Sequence, residues 1–317
     1  MKGGLMPLPN AIIAGTNKAG TTSLFRYLCA HPAVCGSRVK EVCFFSRLGR
    51  PAQPAELADY ASYFRDCSTA APVRLEASPT YLFGGRPVAQ AIGEALPGVR
   101  LIMLLRDPVD RLLSYYRRNI QRDNPMLRGL SLDQFVDLAL TADIASGERG
   151  DSRIQAIWER LNAGCYAPKL REYLSVFPVR HLGIWFFDDL ADNPARVMRE
   201  VCMHLDIAPD FYADYHFAVE NKTRHYRLRG LHRALFSVNR RLQPWLNRHP
   251  AAARRLKAAY QRVNERQPTV LPHGASPQAV QRLRRYYAAF NHDLATLLPQ
   301  HYPDIPLPSW IRPSPAR

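Results

Sequence analysis

Short apolar runs alternate with longer amphipathic stretches along the first two thirds of the chain. Four runs have the length and continuity of buried strands: "NAIIAG" at 10–15, "VRLEASP" at 73–79, "VRLIMLL" at 99–105 and "HLGIWFFDDL" at 181–190. Apolar strands of this kind are typical of parallel sheets, because both faces of such a sheet are covered. The pattern therefore predicts a central parallel sheet.

Helix signals follow these runs. The stretch after the first run places Leu24 and Leu28 at helical spacing, and a further helix is predicted at about 194–205. Asp107 and Pro108 are a favourable N-cap and first residue for the amphipathic stretch "PVDRLLSYYRRNI". Strands that alternate with helices predict an α/β fold, here a P-loop-like three-layer fold with a central parallel sheet.

The last third of the chain is predicted to be mostly helical. The clearest helix is 276–298, which begins with a Ser cap and a Pro at its first position. We interpret the whole chain as one domain, with an α/β core at 10–215, a basic loop and helical cap at 216–300, and a Pro-rich tail at 301–317.

Targeting signals are weak in this sequence. No run approaches the ~18 consecutive apolar residues that a membrane-spanning helix requires. The opening "MKGGLMPLPN" is too short and too interrupted by Gly and Pro for a secretory leader. We therefore expect a cytoplasmic location.

The six cysteines are scattered along the chain, at Cys29, Cys35, Cys43, Cys67, Cys165 and Cys202. None forms a C-x-x-C pair, and no histidine cluster has zinc-ligand spacing. We expect reduced thiols that fill gaps in the core, and no metal. An even number of cysteines leaves disulfides open.

The formal charge of +16 is unevenly distributed. Residues 222–266 contain thirteen Lys or Arg and one acidic residue, Glu265. This surface attracts an anionic partner, and three interpretations are open: a glycan-binding surface, a peripheral contact with the inner membrane surface where a lipid-linked acceptor lies, or a solvated face. Leu242, Trp245 and Leu246 among the arginines keep the membrane interpretation open. Aromatic residues do not interleave as stacking platforms do, so we expect no nucleic acid partner.

The segment "AGTNKAGTTSLFRYL" at 14–28 follows the first predicted strand. Gly15 and Gly20 have the spacing of a P-loop, G-x-x-x-x-G-K-[ST], but Thr21 stands where that motif has lysine, and the nearby lysine is Lys18. A strand, a Gly-bearing turn and a helix start present backbone N–H groups and the positive end of a helix dipole. We predict a phosphate or sulfate site here; the alternative is a plain turn whose threonine caps a helix.

An ATP site has further requirements. It needs a lysine at position 21 and an acidic residue at the end of a neighbouring strand to hold magnesium. Here the run at 99–105 ends at Arg106, so a cation precedes Asp107. This combination favours a highly anionic donor that is handled without magnesium.

Three segments together resemble the sulfotransferases that use 3′-phosphoadenosine 5′-phosphosulfate (PAPS): "GTNKAGTTSLFRYLCAHP", "KEVCFFS" and "LIMLLRDPVDRLLSYYRRN". The segments are similar to the carbohydrate type, such as heparan sulfate N- and O-sulfotransferases and their bacterial relatives. Weaker similarity continues through "GCYAPKLREYLSVFP", "IWFFDDLADNPARVMREVCMHLDI" and "NKTRHYR", so the resemblance covers most of residues 10–226.

The resemblance implies a donor site. The first loop would bind the 5′-phosphosulfate, Arg106 and Ser114 the 3′-phosphate, and the basic loop at 222–224 would close over PAPS. The predicted donor-binding residues are Lys18, Ala19, Gly20, Thr21, Thr22, Ser23, Arg106, Ser114, Lys222, Thr223 and Arg224. The alternatives are an ion pair of Arg106 with Asp107 or Asp110, a plain polar helix position for Ser114, and a solvated basic face at 222–224.

Sulfuryl transfer benefits from a base for the acceptor proton, a cation at the leaving phosphate oxygen, and positioning. Lys18 is the predicted cation, a role that the resemblance also implies, and Glu41 in "VKEVCFF" is the predicted base. We expect the apolar neighbours at 42–45 to desolvate the Glu41 carboxyl group partly. The alternative is a surface carboxylate that pairs with Lys40 or Arg38.

Three residues are predicted to contact the acceptor: Lys40, Ser78 and Tyr81. The last two lie in "EASPTYLF", which resembles a turn that lines the acceptor cleft in the family. The alternative is a turn with a buried aromatic residue. His31 precedes a proline at a helix end and is predicted to be a cap rather than a base.

The predicted function is transfer of the sulfuryl group of PAPS to a hydroxyl or amine of a carbohydrate or glycolipid. Two alternatives from other classes stay open. An ATP-dependent P-loop phosphotransferase predicts strong magnesium dependence. A non-catalytic module that binds a polyanion or a membrane predicts that Lys18→Ala leaves its function unchanged.

Overall fold

The computed structural model describes residues 8–68, 70–122, 124–144, 152–218, 225–226, 265–266 and 275–312. The strands of its main sheet are β1 (Ala11–Gly15), β2 (Val34–Gly36), β3 (Val73–Ala77), β4 (Arg100–Leu105) and β5 (Leu182–Phe186). A separate antiparallel pair consists of β6 (His225–Tyr226) and β7 (Glu265–Arg266). The helices are α1 (Thr21–Ala30), α2 (Phe44–Leu48), α3 (Pro54–Ala61), α4 (Gly85–Ala95), α5 (Pro108–Gln121), α6 (Leu132–Ile144), α7 (Ser152–Asn162), α8 (Tyr166–Leu174), α9 (Phe187–Asp192), α10 (Pro194–Leu205) and α11 (Pro277–His301).

The main sheet has the order β2-β3-β1-β4-β5, and all its neighbouring strands are parallel. Strand β1 is central: Ala11 is in register with Leu75 of β3 and with Arg100 of β4. The carboxyl ends of parallel strands meet at one edge of the sheet, which is where ligands bind in such folds. The predicted parallel α/β fold is confirmed.

Both faces of the sheet are buried, and the side chains of β1 and β4 alternate between them. Ile12 and Ala14 join a core with α3, α4, α8 and α11, whereas Ala11 and Ile13 join a second core with α1 and α10. The side chains of β4 alternate in the same way, since Met103 lies in the first core and the residues on either side of it in the sequence lie in the second. A third apolar cluster joins α5, α6, α7 and α11 beside the sheet. The sheet is therefore packed on both faces, with the third cluster at its side.

Local sequence signals give most element boundaries correctly. Asp107 caps α5 by accepting from the Val109 N–H, and α10 covers the predicted 194–205. The predicted strand at 181–190 is too long, because β5 ends at Phe186 and α9 begins at the next residue. Leu190 is buried one helical turn into α9, which explains why this apolar run divides between two elements.

The C-terminal segment closes over the first core. Ser276 caps α11 by accepting from the Ala279 N–H, as predicted, and the helix extends to His301. Beyond it Ile311 is buried, and the indole of Trp310 donates to the Asp188 carboxylate at 3.1 Å. Among the described helices, none has the length and apolar character needed to cross a bilayer. The basic stretch at 222–266, apart from β6 and β7, lies outside the described residues.

Two of the six cysteines form a disulfide, and four are free thiols: Cys29, Cys43, Cys165 and Cys202. Cys165 and Cys202 are buried thiols, as expected. Cys35 and Cys67 instead form a disulfide, with their Cα atoms 5.7 Å apart, so the expectation of reduced thiols is wrong for this pair. The bond joins β2 to the segment that follows α3. Sequence spacing alone did not identify it, since the two cysteines are 32 residues apart.

Candidate active site

The loop after β1 is shaped as an anion cradle. Gly20 has a left-handed backbone, with φ of 84°, and α1 begins directly after it at Thr21. No side chain caps this helix start, so its first N–H groups face the loop without a side-chain acceptor. A Cβ atom at Gly20 would lie 3.0 Å from the ring of Phe187. Only glycine fits both the backbone angle and this close approach.

Two buried polar atoms beside the cradle have no hydrogen-bond partner within the described part of the chain: Thr16 Oγ1 and Arg106 Nε. Buried polar groups are nearly always hydrogen-bonded. An unpaired buried group next to a helix start therefore indicates a partner beyond the described part of the chain, such as a bound ligand. A hydroxyl and a guanidinium N–H both donate, as does the helix start. The residues present therefore fit a phosphate- or sulfate-bearing ligand.

Arg106 follows β4 and turns back toward the loop. Its Nη1 donates to the carbonyl oxygen of Lys18 at 2.9 Å, and its guanidinium lies 4.4 Å from the ring centroid of Phe187. The alternative of an ion pair with a neighbouring aspartate is not the contact observed. Phe187 thus packs against both Gly20 and Arg106. The sequence pattern placed Phe187 in a predicted strand and gave no sign of this role.

Lys18 lies in a strongly positive environment. Its partial burial, with Arg118, Arg106 and Arg122, lowers the pKa of its ammonium group to about 8, and only Glu41 opposes this shift. A lysine held among arginines is suited to a ligand with several negative charges. The structure therefore brings the two predicted catalytic residues, Lys18 and Glu41, within electrostatic range of each other.

Helix α5 contributes one side of this environment. Ser114 and Arg118 are four residues apart in α5, so they share one helix face, and Arg122 is the C-cap residue directly after the helix. The charges of Arg118 and Arg122 both lower the pKa of the Lys18 ammonium group. Ser114 is half-buried on the same helix face as Arg118, and its role at the donor stays a prediction.

The other predicted donor-binding residues lie directly before α1 and in its first turn. Ala19 is fully buried and offers only its main chain, and Thr21 is buried as well. Thr22 and Ser23 are half-buried. Lys222, Thr223 and Arg224 lie outside the described residues, so their predicted role stays a prediction.

Glu41 lies in the segment between β2 and α2. Its N–H donates to the Ala77 carbonyl at the end of β3 at 2.8 Å, and its carboxylate pairs with Lys40 at 2.8 Å. The side chain is 61% exposed, so the expectation that its apolar neighbours desolvate it is wrong. Those neighbours point inward, with Val42, Phe44 and Phe45 in the first core. The ion pair with Lys40 is the contact that the alternative predicted, whereas Arg38 pairs with Asp66.

Ser78 and Tyr81 are fully buried, so the expectation that they line the acceptor cleft is wrong. The Cys43 N–H donates to Ser78 Oγ at 2.8 Å, and the Phe45 N–H donates to the Tyr81 hydroxyl at 3.4 Å. Both side chains therefore support the backbone of the segment that carries Glu41. The alternative of a turn with a buried aromatic residue describes them correctly.

Two buried charged residues were missed by the sequence analysis. Glu76 in β3 is fully buried, and burial raises the pKa of its carboxyl group although hydrogen bonds oppose the shift. Arg111 in α5 is also fully buried, and its Nη1 donates to the Asn17 side chain in the loop after β1 at 3.2 Å. Neither position differs from a surface residue in the sequence pattern, because burial is decided by neighbours distant in the chain.

The remaining predicted position is His31. It ends α1, its Nδ1 accepts from the Ala33 N–H at 3.0 Å, and its Nε2 lies 2.9 Å from the Ala208 carbonyl oxygen. The prediction of a helix cap is confirmed. Within the described residues, no group of three or more His, Cys, Asp or Glu is arranged to hold a metal ion.

Comparison with known proteins identifies the family of this fold and loop. A family model described as "Sulfotransferase domain" matches residues 8–226. The crystal structure of a sulfotransferase from Alicyclobacillus acidocaldarius aligns with a TM-score of 0.63 over 96% of this chain and 100% of that one, at 22% identity. That similarity establishes a shared fold.

Curated relatives match about two thirds of this chain. A human bifunctional heparan sulfate N-deacetylase/N-sulfotransferase 3 is 27% identical over 210 residues, which is 64% of this chain and 23% of the relative. Human heparan sulfate glucosamine 3-O-sulfotransferase 3B1 is 27% identical over 224 residues, which is 70% of this chain and 51% of the relative. The chain therefore spans about a quarter of the first relative and half of the second.

Proposed function

The chain belongs to the sulfotransferase domain family, and from this premise we propose that it transfers a sulfuryl group from PAPS to a carbohydrate acceptor. The observation that carries the proposal is the cradle after β1: an uncapped helix start, an unpaired buried hydroxyl at Thr16, and Lys18 among arginines. A cradle with this charge suits a donor that bears several anionic groups.

The donor would be held at two points. The main chain of residues 18–20 and the first turn of α1 would bind the 5′-phosphosulfate. Arg106 and Ser114 would bind the 3′-phosphate, and residues 222–224 are proposed to cover the donor. PAPS supplies the sulfuryl group when it is bound there. The unpaired Nε of Arg106 supports this assignment, because it leaves a buried donor available to an anion.

Two residues would assist the chemical step. Glu41 would accept the proton of the acceptor hydroxyl or amine, since its carboxylate is exposed and within electrostatic range of Lys18. Lys18 would neutralise the charge that develops on the leaving phosphate oxygen. Lys40 would hold the Glu41 carboxylate and contact the acceptor, consistent with its 2.8 Å ion pair.

The proposed acceptor is a carbohydrate hydroxyl or amine. Two of the similar proteins are named for sulfation of heparan sulfate, one at nitrogen and one at a 3-hydroxyl, which supports a glycan but does not choose between oxygen and nitrogen. The basic stretch at 222–266 supports an anionic or lipid-linked glycan at a membrane surface.

The cytoplasmic location stays a prediction. The disulfide between Cys35 and Cys67 is more typical of oxidising compartments than of the cytosol. Fractionation of cells that produce the full chain, with detection of the protein in each compartment, tests the prediction directly.

The central experiment is incubation of the protein with ³⁵S-labelled PAPS and fractionated cell glycans and glycolipids. We expect label to move to a glycan fraction, to be lost with Lys18→Ala and to fall strongly with Glu41→Gln. The absence of both PAPS binding and transfer by the wild type would overturn the proposal. Parallel reactions with ATP and magnesium test the kinase alternative, and unchanged function of Lys18→Ala would favour the non-catalytic alternative.

A further inference from the structure

The segment that carries Glu41 has an unusual backbone. Glu41 and Cys43 both have left-handed conformations, with φ of 66° and 53°, although neither is glycine. Such angles are unfavourable for residues with a Cβ atom and persist only where surrounding contacts impose them. Some feature of the fold must therefore hold this segment in place.

Two hydrogen bonds donated by main-chain N–H groups provide that support, and both acceptors lie at the carboxyl end of β3. The Glu41 N–H donates to the Ala77 carbonyl oxygen, and the Cys43 N–H donates to the Ser78 hydroxyl, each at 2.8 Å. The first acceptor is a carbonyl fixed by the sheet. The second is a hydroxyl, which rotates freely unless another group directs its hydrogen.

Glu76 directs that hydrogen. Its fully buried carboxyl group accepts from the Ser78 hydroxyl at Oε1 and from the Tyr60 hydroxyl at Oε2, the latter at 2.8 Å. Because Ser78 has one hydrogen and donates it to Glu76, its lone pairs are left to accept from the Cys43 N–H. The Glu76 side chain thus determines which group donates and which accepts in this series of hydrogen bonds.

We propose that Glu76 is a positioning residue for the catalytic base: acting through Ser78, it fixes the left-handed backbone that presents Glu41 to the acceptor. The inference rests on the proposed function, in which Glu41 is the base. Glu76 touches neither donor nor acceptor, since it is fully buried beneath the segment at 41–45. Its role is to hold geometry that the free segment would not adopt.

A carboxylate suits this position better than an amide. Its two oxygens accept from Ser78 and Tyr60 at once. A glutamine offers one oxygen and one NH₂ group, so one of the two hydroxyl donors would face another donor. Glu76→Gln therefore preserves size while it disrupts one of the two hydrogen bonds.

The test combines kinetics with amide hydrogen exchange of the 41–45 segment in Ser78→Ala and Glu76→Gln. We expect kcat to fall by about 10- to 100-fold, as for a misplaced catalytic group. The KM for PAPS should stay within about twofold, because the donor cradle is untouched. Exchange of the Cys43 amide should become faster, since its acceptor is lost or misdirected.

A matched control separates positioning from general stability. Tyr60→Phe removes the hydroxyl that donates to Glu76, whereas Tyr212→Phe removes an equally buried hydroxyl that donates to the Tyr27 carbonyl at 2.9 Å. Both variants should lower the melting temperature, but only Tyr60→Phe should lower kcat. Equal effects of the two on kcat would overturn the proposal.

A rescue experiment covers the case in which Ser78→Ala folds poorly. Adding Cys43→Gly removes the Cβ penalty at φ of 53°, so the double variant should regain part of the lost kcat. Unchanged kcat and unchanged exchange in Ser78→Ala and Glu76→Gln would overturn the proposal. If the wild type transfers no sulfuryl group, the proposed function fails and the role of Glu76 in catalysis fails with it. Exchange then tests only the hold on the backbone: faster exchange supports that hold, and unchanged exchange refutes it.

Discussion

Arg106 donates a hydrogen bond of 2.9 Å from its Nη1 to the main-chain carbonyl oxygen of Lys18, 88 residues earlier in the chain. The bond links the residue assigned to the 3′-phosphate of the donor with the loop assigned to its 5′-phosphosulfate. It also holds two cations close together, which is one reason why the Lys18 pKa is low. The two ends of the proposed donor site are therefore connected by a hydrogen bond and by the interaction of their charges.

The lowered pKa of Lys18 predicts a pH limit for activity. Burial and the nearby arginines bring this pKa to about 8, so the ammonium group loses its proton as the pH rises through that value. We expect kcat/KM for PAPS to fall above pH about 8, because this parameter reports the free enzyme. The corresponding fall in kcat should occur at higher pH, since a bound anion favours the charged form of the lysine.

Lys18→Arg is the control for the fall in activity at high pH, because a guanidinium does not lose its proton in this pH range. This variant should be less active at pH 7 but should lack the fall above pH 8. A wild-type profile that stays flat between pH 7 and 10 would contradict the assignment.

Glu41→Gln should separate activity from stability. The side chain is 61% exposed, so we expect the free energy of unfolding to change by less than about 0.5 kcal/mol. Removal of the base should lower kcat by roughly 10²- to 10⁴-fold. Glu94→Gln is the matched control, because Glu94 is also exposed but lies on α4. Comparable loss of kcat in both variants would argue against a specific role of Glu41.

Gly20→Ala should weaken donor binding. The substitution places a Cβ atom on a backbone with φ of 84° and 3.0 Å from the Phe187 ring. We expect a loss of stability of about 1–2 kcal/mol from the backbone alone, and a lower PAPS affinity because Phe187 also supports Arg106. Calorimetric titration with 3′-phosphoadenosine 5′-phosphate measures that affinity.

Gly98→Ala is the control for this substitution. Gly98 has a similar φ of 78°, but nothing lies within 4 Å of the added Cβ atom. The Gly98→Ala variant should show the loss of stability that the backbone angle causes, without a change in nucleotide affinity. If Gly20→Ala binds the nucleotide as tightly as Gly98→Ala, the cradle is not the donor site.

The disulfide between Cys35 and Cys67 should contribute measurably to stability. Its sequence separation of 32 residues corresponds to a loss of chain entropy worth about 3–4 kcal/mol in the unfolded state. Urea unfolding of the wild type with and without a reducing agent measures this difference. The Cys35→Ser/Cys67→Ser double variant should unfold like the reduced protein and should not respond to reductant. An identical midpoint for oxidised and reduced wild type would mean that the bond is absent or not stabilising.

The sequence alone predicted those parts of the site that depend on local chemistry. The loop between β1 and α1, the Asp107 cap that starts α5 and the cap at His31 follow from glycine positions, cap residues and apolar periodicity within a few residues of one another. The parallel sheet followed from the alternation of such signals. These features are predictable because the forces that specify them act between near neighbours in the chain.

Tertiary structure decided which residues support the site and which ones face the solvent. Phe187 lies beneath Arg106, the Tyr60 hydroxyl of α3 donates to Glu76 of β3, and Cys35 is bonded to Cys67, and each pairing joins separate parts of the chain. Packing also buried Ser78 and left Glu41 exposed, the opposite of what their neighbours in sequence indicated. Burial and long-range contact depend on how the layers close around the sheet, and no local pattern contains that information.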